Sequence, residues 1–516
     1  MFFRYGVAQP GAEPLALLGG ALILDSGESD QSFLFRCQDR FVTYAWLLGL
    51  RPILLAEDAA MARQTVDAIA ALRADCVTIA RACGLTALLR PPEPLILACD
   101  PLTATLFPLA RPTLTRHAVF YLNQVSPTAA LLVKGAATAL SNWGIQTGVN
   151  HDRLEADARR ALRLHDKRAA IAVARTCALP APRMLTTETI DANELATLNN
   201  WGALQAWYRA KTDEAAPDAL VIKSTRDSAG NVAAVLNAGT FSYVRKHLLE
   251  MFVRSSGGDM STALASIRAD IAESRLDPTA YPDDRLRAFE ELRRERRGNL
   301  AMLVQRFIHP APSVPAKPAS LGISFHVGER GVQTLAIAAQ TYHDADRRHF
   351  RGAMLDRRID AAFTGSRFEA EMRNLAGHFA AQGYNGPIGF DALCDADGEY
   401  TLIQDCNPRL SAILPTLAIH RALRPAPRSL LSLGYRGEVH VPDLPAALAA
   451  LDGAGLLYGA RRRSGLLPLP SMVGAKRVDL LLVDSPPHIL DHAAAALASV
   501  GVQAAISSAI PGLPTE

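Results

Sequence analysis

Short apolar segments alternate with amphipathic segments along the first third of the chain. Strands are predicted at 15–24, 52–56 and 95–98, and helices at 41–49, 58–74 and 129–142. Strands that alternate with helices predict a parallel, doubly wound sheet. Gly19 and Gly20 lack the glycine spacing of a dinucleotide-binding loop, so the pattern predicts a Rossmann-like fold without that fingerprint. The fold class predicted for the whole chain is α/β.

Two neighbouring strands in the second half of the chain end in polar side chains. Asp391 follows an apolar run, and a second strand beginning at Tyr400 leads to Asp405, Asn407 and Arg409. The spacing of two places these three residues on one face of the strand, and it predicts that Cys406 points to the opposite face and into the core.

The residue types in this hairpin indicate a metal site that handles phosphate. Carboxylate and amide oxygens suit Mg²⁺, which keeps several waters and shares phosphate oxygens. An arginine beside them can neutralise charge on a phosphoryl group in transfer. The alternative is a hairpin with a solvated acidic turn. That alternative explains Asp395 and Asp397, but not an acid, an amide and a guanidinium converging on one strand face.

Asp391, followed fourteen residues later by Asp405-x-Asn407-x-Arg409, resembles the magnesium-binding signature of the ATP-grasp ligases. The resemblance implies that Asp391, Asp405 and Asn407 bind Mg²⁺ and that Arg409 is catalytic. Aspartate stands at position 405 where the family more often has glutamate, which shortens the reach of that ligand.

Two lysines lie upstream in the order that the family has. Lys167 opens a helix predicted at 168–177, and Lys223 ends a short apolar strand predicted at 219–223. A loop of small and polar residues follows at 224–230, and such a loop can close its backbone N–H groups over phosphates. The resemblance implies that both lysines bind the phosphates of ATP and that Lys223 also takes part in catalysis.

The segment 301–308 is predicted to be the hinge strand that holds the adenine base. The resemblance implies nucleotide contacts from four of its residues: Gln305, Arg306, Phe307 and Ile308. Two features depart from the family pattern. The hinge begins with glutamine in place of the usual acid, and the loop 309–318 offers no acid for the ribose hydroxyls, where Ser313 is a weak substitute.

The resemblance also divides the chain into three domains. Residues 1–155 are expected to form a pre-ATP-grasp domain and 156–430 the ATP-grasp domain, with a lid at about 183–308 and a helical insertion at about 240–298. Residues 431–516 are expected to form a small appended α/β module. The two end regions loosely resemble the pre-ATP-grasp proteins related to the pheganomycin-type peptide ligase.

Composition agrees with a multi-domain soluble enzyme. The chain has 516 residues, 49% of them hydrophobic, and a net charge of +3. This balance predicts no nucleic-acid partner. The seven scattered cysteines lack Cys-x-x-Cys pairs, which favours reduced thiols and a cytoplasmic protein. No targeting segment is recognised, and the apolar stretch at 493–510 is interrupted by polar residues, so no membrane partner is expected.

The function predicted from these features is that of an ATP-dependent carboxylate–amine ligase. It would form an amide or peptide bond through an acyl phosphate and release ADP and phosphate, with amino acids or small peptides of specialised metabolism as its partners. A homodimer is left open. Two alternatives remain: a kinase-like phosphotransferase, and a nucleotide-binding regulator with a degenerate site, which the glutamine at position 305 and the missing ribose acid would explain.

Overall fold

The structure is a computed structural model that describes most, but not all, of the chain. The described residues are 3–5, 12–17, 50–56, 59–85, 93, 95–100, 105–108, 117–122, 127–150, 156, 160, 163–164, 166–177, 179, 186–215, 217–225, 233–255, 301–309, 311–314, 316–328, 330–342, 350–408, 411, 413–423, 426–433, 439–459, 461–472, 477–504 and 506–510. The helix predicted at 41–49 lies outside them, as does the insertion beyond residue 255.

The chain divides into two compact units, each assembled from separate stretches of sequence. The first unit comprises Met1–Leu162, Pro312–Gly389 and Asn407–Glu516, and the second comprises Arg163–Ala311 and Phe390–Cys406. The three domains expected from the sequence stay a prediction.

A six-stranded sheet occupies the amino-terminal part of the first unit. Its elements are β1 (Phe3–Tyr5), β2 (Glu13–Leu17), β3 (Arg51–Ala56), α1 (Ala59–Cys83), β4 (Leu95–Asp100), β5 (Thr105–Pro108), β6 (Ala118–Leu122) and α2 (Pro127–Ser141). The strand order is β1-β6-β2-β3-β4-β5. The four inner strands pair in parallel and the two edge strands pair antiparallel. The predicted α/β class with a parallel sheet is confirmed.

Helix α1 shows why this region folds as it does. Its fully buried side chains recur at intervals of three or four residues, at Leu72, Cys76, Ile79 and Cys83. This spacing forms one apolar stripe along the helix, and the helix contacts β3 and β4.

The second unit contains a four-stranded antiparallel sheet in the order β7-β10-β8-β9. Its elements are α3 (Lys167–Thr176), β7 (Thr187–Asp191), α4 (Ala192–Thr197), α5 (Trp201–Thr212), β8 (Leu220–Ser224), β9 (Ala233–Leu236), α6 (Phe241–Ser255) and β10 (Ala301–Arg306). Helices and strands share one hydrophobic core, which includes Ile190, Leu204, Tyr208, Ile222, Phe241 and Val304.

The remaining elements form a nine-stranded sheet and its helices. They are β11 (Ser320–Gly328), β12 (Gly331–Tyr342), β13 (Phe350–Asp356), α7 (Arg357–Phe363), α8 (Arg367–Ala381), β14 (Gly386–Cys394), β15 (Tyr400–Asn407), α9 (Ile413–Ala422), β16 (Ser429–Leu433), β17 (Val439–His440), α10 (Leu444–Gly453), β18 (Gly465–Met472), β19 (Arg477–Val483) and α11 (Ile489–Ala498). The strand order is β15-β14-β11-β12-β13-β16-β19-β17, and β18 also pairs with β19.

The stretch expected to form an appended carboxyl-terminal module contributes three strands to this large sheet. Leu480, Leu481 and Leu482 in β19 are all buried, as expected for a strand covered on both faces. Within the first unit, α10 and β18 also contact helix α1. The sheet is closely packed where β13 meets β16, because a Cβ atom on Gly352 would lie 1.8 Å from the backbone oxygen of Ser432.

Two side-chain hydrogen bonds fix the amino terminus of helix α8. The Ser366 hydroxyl accepts a hydrogen bond from the N–H of Glu369, and the Glu369 carboxylate accepts one from the N–H of Gly365. Burial acts to raise the pKa of Glu369, but hydrogen bonds from Thr334, Gly365 and Arg373 outweigh it and lower the pKa. The carboxylate therefore stabilises the fold in its ionised form.

Two further expectations concern the described residues only. No helix among them is long and apolar enough to cross a bilayer. Five cysteines whose side chains are described, at positions 76, 83, 177, 394 and 406, are buried and form no disulfide bond.

Candidate functional site

Most residues of the predicted ATP site belong to the second unit. These are Lys167, Lys223, Gln305, Arg306, Phe307, Ile308, Asp391 and Asp405. Asn407 belongs to the first unit, where β15 ends, and Arg409 lies outside the described residues.

Lys167 is the first residue of α3, one residue before the predicted start of the helix. Asp166 caps the helix by accepting a hydrogen bond from the N–H of Arg168 at 3.0 Å, and its carboxylate also pairs with the Arg168 guanidinium at 2.7 Å. This side-chain hydrogen bond raises the pKa of Arg168. Only 7% of Lys167 is exposed. A buried lysine at a helix amino terminus adds its charge to the positive end of the helix dipole, which favours an anion.

Backbone hydrogen bonds join the start of α3 to the end of β8. The N–H of Lys167 donates to Thr225 O at 2.8 Å, and the N–H of Thr225 donates to Ala301 O at 3.3 Å. Two residues span at most about 7 Å, so Thr225 keeps the backbone of Lys223 close to that of Lys167. Sequence reasoning missed Thr225, because a single threonine in a polar loop has no distinguishing pattern.

Lys223 lies inside the four-stranded sheet. It pairs with Leu303 of β10 on one side and with Ala233 of β9 on the other. Only 7% of it is exposed. Lysine is seldom this deeply buried, and the role of Lys223 in binding phosphate stays a prediction.

The strand predicted at 301–308 is present as β10, which ends at Arg306, and its role as the adenine hinge stays a prediction. Gln305 is 2% exposed and donates from Nε2 to the Thr187 hydroxyl at 2.7 Å, a partner that the sequence did not indicate. The N–H of Phe307 donates to Ala219 O at 3.1 Å, so it is already engaged within the protein. Ile308 follows the last ladder bond and is half-buried.

The chain after the hinge is fixed at two points. In the second unit, the N–H of Ala311 donates to Cys394 O at 2.8 Å, which joins this segment to the end of β14. In the first unit, the Ser313 hydroxyl accepts a hydrogen bond from the N–H of Ala319 at 2.9 Å. Ser313 therefore stabilises the turn of its own loop, and its contact with a ribose stays a prediction.

Buried and half-buried residues alternate along the strands that contain Asp391 and Asn407, as the sequence predicts. Phe390 and Ala392 are buried while Asp391, between them, is half-buried. In β15 the predicted burial of Cys406 is confirmed, at 3% exposure, and the next residue, Asn407, is half-buried. Asp405 lies in the same strand, but its side chain is outside the description.

These residues have the donor chemistry that Mg²⁺ requires. Asp391 and Asn407 supply hard oxygen donors at half-buried positions, where an ion can be reached by water. Among the described side chains, no cluster of three or more histidine, cysteine, aspartate or glutamate residues could hold a metal ion. The predicted Mg²⁺ ligands differ from such a cluster, because they comprise two carboxylates and one amide. A set of three protein ligands leaves coordination positions for water and phosphate oxygens.

Comparisons with known proteins give matches among solved structures alone. No protein-family model matches the sequence, and no curated protein matches it significantly.

Many solved structures match most of the chain at low identity, among them the following three. N5-carboxyaminoimidazole ribonucleotide synthetase from Thermus thermophilus is 13% identical, with 97% of this chain and 100% of that chain covered, at a TM-score of 0.41. The Aspergillus clavatus synthase in complex with ADP and 5-aminoimidazole ribonucleotide is 11% identical, with 95% and 98% covered, at 0.39. Biotin carboxylase from Campylobacter jejuni is 12% identical, with 97% and 92% covered, at 0.41.

These solved proteins are ATP-grasp carboxylate–amine ligases. Their TM-scores to this chain lie below 0.5. The ATP-grasp interpretation of this chain therefore depends on its own lysines, hinge strand and acid-bearing hairpin, as described above.

Proposed function

We propose that this protein is an ATP-grasp ligase that joins a carboxylate to an amine with hydrolysis of ATP to ADP and phosphate. The observation that carries the proposal is the pair of deeply buried lysines, Lys167 and Lys223, whose backbones are linked through Thr225. The same compact unit contains the hinge strand and the two aspartates of the acid-bearing hairpin.

The two lysines would bind the phosphates of ATP. Each places a cation in a site with little water, where its attraction for a phosphate oxygen is stronger than at the surface. The amino terminus of α3 adds the positive end of its helix dipole to the same anion site.

The adenine base would lie against the hinge. Gln305 and Arg306 are engaged in strand pairing, and the N–H of Phe307 already donates to Ala219. Ile308, which follows the last ladder bond, is therefore the residue we propose for backbone pairing with the base. The side-chain amide of Gln305, which donates to the Thr187 hydroxyl, would shape the pocket by holding Thr187 in place.

Asp391, Asp405 and Asn407 would hold Mg²⁺. Bound there, the metal would neutralise part of the phosphate charge. The spacing of two predicts that Asp405 and Asn407 share one strand face, and Cys406 between them is buried.

The proposed reaction has two steps. A carboxylate oxygen of the first substrate attacks the γ-phosphorus of ATP, and the bond to the β-phosphate breaks to release ADP. The amine then attacks the acyl carbon of the acyl phosphate, the carbon–oxygen bond breaks, and inorganic phosphate leaves while the amine loses a proton.

No side chain acts as a nucleophile in this scheme. Lys167 and Lys223 orient the phosphates, and Arg409 stabilises the negative charge that develops during transfer, so that catalysis is mainly positioning and electrostatics. We propose amino acids or small peptides as the substrates and the cytoplasm as the compartment.

A screen for ADP release tests the proposal. Purified protein, ATP and Mg²⁺ would be incubated with single amino acids and small acids, and then with pairs, and products would be identified by mass spectrometry. A ligase releases ADP only when both substrates are present, whereas a phosphotransferase needs one acceptor. Absence of ADP with every pair would refute the proposal.

A further inference from the structure

The segment that follows β15 is attached to the large sheet by a hydroxyl pair. Within the first unit, the hydroxyls of Ser324 and Ser411 lie 2.7 Å apart and share a hydrogen bond. Ser324 is 1% exposed and Ser411 is half-buried. Since the bond links positions 87 residues apart in sequence, it fixes tertiary structure and not a local turn.

The sheet is adapted to receive Ser411. A Cβ atom on Gly389 would lie 3.2 Å from the Cβ of Ser411 and 3.7 Å from the Ser324 hydroxyl, so the glycine leaves the room that Ser411 occupies. The pairing of β11 with β12 also shifts between Ser324 and Phe325. A β-bulge at this point redirects side chains on the strand.

Helix α9 fixes the other side of the same segment. Ile413, Leu414 and Leu417 pack against buried residues of β12 and β13, and Leu335, the extra residue of the bulge, joins this cluster. The carbonyl of Ser411 accepts a hydrogen bond from the N–H of Leu414 at 3.1 Å. Ser411 is therefore the point where the segment meets both the sheet and the helix.

Arg409 lies two residues from Asn407, which ends β15, and two residues from Ser411. Each of these intervals spans at most about 7 Å. The hydrogen bond between Ser324 and Ser411 therefore fixes the chain at a point two residues beyond Arg409 in the sequence.

We infer that Ser324 and Ser411 are positioning residues for Arg409, with Gly389 as the space that their contact requires. This inference rests on the proposed function, because the role of Arg409 in phosphoryl transfer comes from there. A misplacement of about 1 Å can cost about 100-fold in rate, so the contact is expected to affect turnover more than ATP binding.

The test compares Ser324→Ala and Ser411→Ala with Ser320→Ala as a matched control. Ser320 lies on the same strand and is as deeply buried as Ser324, and its hydroxyl contacts Gln340 and Tyr342 instead. We expect kcat to fall about 10- to 100-fold in both test variants with the KM for ATP unchanged. The control should keep its kcat, and Ser324→Thr, which retains a hydroxyl, should restore most of the activity.

Gly389→Ala provides a second test of the contact, because it keeps both hydroxyl groups but displaces Ser411 by a few tenths of an ångström. It should lower kcat in the same way. Melting temperatures would show that each variant is folded. Wild-type kcat in Ser324→Ala and Ser411→Ala, or an equal loss in Ser320→Ala, would overturn the inference.

Hydrogen exchange separates this inference from the proposed function. Backbone amides of residues 405–414 should exchange faster in Ser324→Ala than in wild type, and should not change in Ser320→Ala. If the wild-type protein released no ADP, the ligase proposal would fail, while faster exchange in Ser324→Ala would still show that the Ser324–Ser411 contact holds this segment. Unchanged exchange would overturn the inference whatever the activity.

Discussion

Replacing Lys223 with methionine removes its charge and keeps a stem of similar length. Lys223 is 7% exposed and pairs with strands on both sides. Truncation to alanine would add a packing loss of about 2–5 kcal/mol, the range for a buried methionine shortened to alanine. Methionine avoids most of that loss, so a change in nucleotide affinity can be assigned to the missing ammonium group.

The expected magnitude follows from one lost hydrogen bond between charged groups. Such a bond contributes about 1.5–3 kcal/mol, and every 1.4 kcal/mol is about tenfold in affinity. Lys223→Met should therefore bind ATP about 10- to 100-fold more weakly than wild type, measured by calorimetry in the presence of Mg²⁺ and without other substrates.

Lys211→Met is the matched control for this measurement. Lys211 is an exposed lysine of the same unit, near Glu194 at 3.5 Å and over the ring of Trp207 at 5.9 Å. Its replacement should leave ATP affinity unchanged. If Lys223→Met bound ATP as tightly as Lys211→Met, Lys223 would not belong to the phosphate site.

Four further sets of variants test the proposed metal site, the proposed role of Arg409, the sheet packing and the cap of α8. Asp405→Asn should lose most turnover at an unchanged melting temperature and require more Mg²⁺; unchanged turnover would remove it from the metal site. Arg409→Ala should lower kcat far more than it weakens ATP binding, and a defect in binding alone would contradict its role. Gly352→Ala should prevent stable folding, because its Cβ would lie 1.8 Å from a backbone oxygen, whereas Gly377→Ala, with no atom within 4 Å, should be tolerated; circular dichroism would distinguish them. Glu369→Gln should lower the free energy of unfolding by about 1–3 kcal/mol at pH 7. Because the pKa of Glu369 is lowered in the folded protein, the difference in unfolding free energy between wild type and variant should shrink as the pH falls through that pKa. A difference that stays constant with pH would contradict the stabilising role of the ionised carboxylate.

The local sequence pattern predicts the strands and the helix that contribute residues to the proposed site. Apolar runs that end in Lys223 or Asp391 identify strands, because a buried strand needs consecutive apolar residues and its polar end then stands out. The helix that starts at Lys167 was predicted for a similar reason, since Asp166 is a good capping residue.

Contacts between distant segments could not be predicted in the same way. Thr187 and Thr225 hydrogen-bond to the hinge and to Lys167, yet threonine is common in strands and loops and carries no positional signal. Nothing in the sequence of β19 indicates that it pairs with β16 and β18 in the large sheet. The bulge beside Ser324 depends on strand register, which the sequence of one strand does not determine.

The proposed mechanism requires that the carboxylate is activated as an acyl phosphate. Mass spectrometry can follow this step with a carboxylate substrate labelled with ¹⁸O, once the amide has formed. We predict that ADP is released and that one ¹⁸O atom per turnover appears in inorganic phosphate, because the attacking oxygen leaves with the phosphoryl group. Label in AMP, with release of pyrophosphate, would contradict the mechanism.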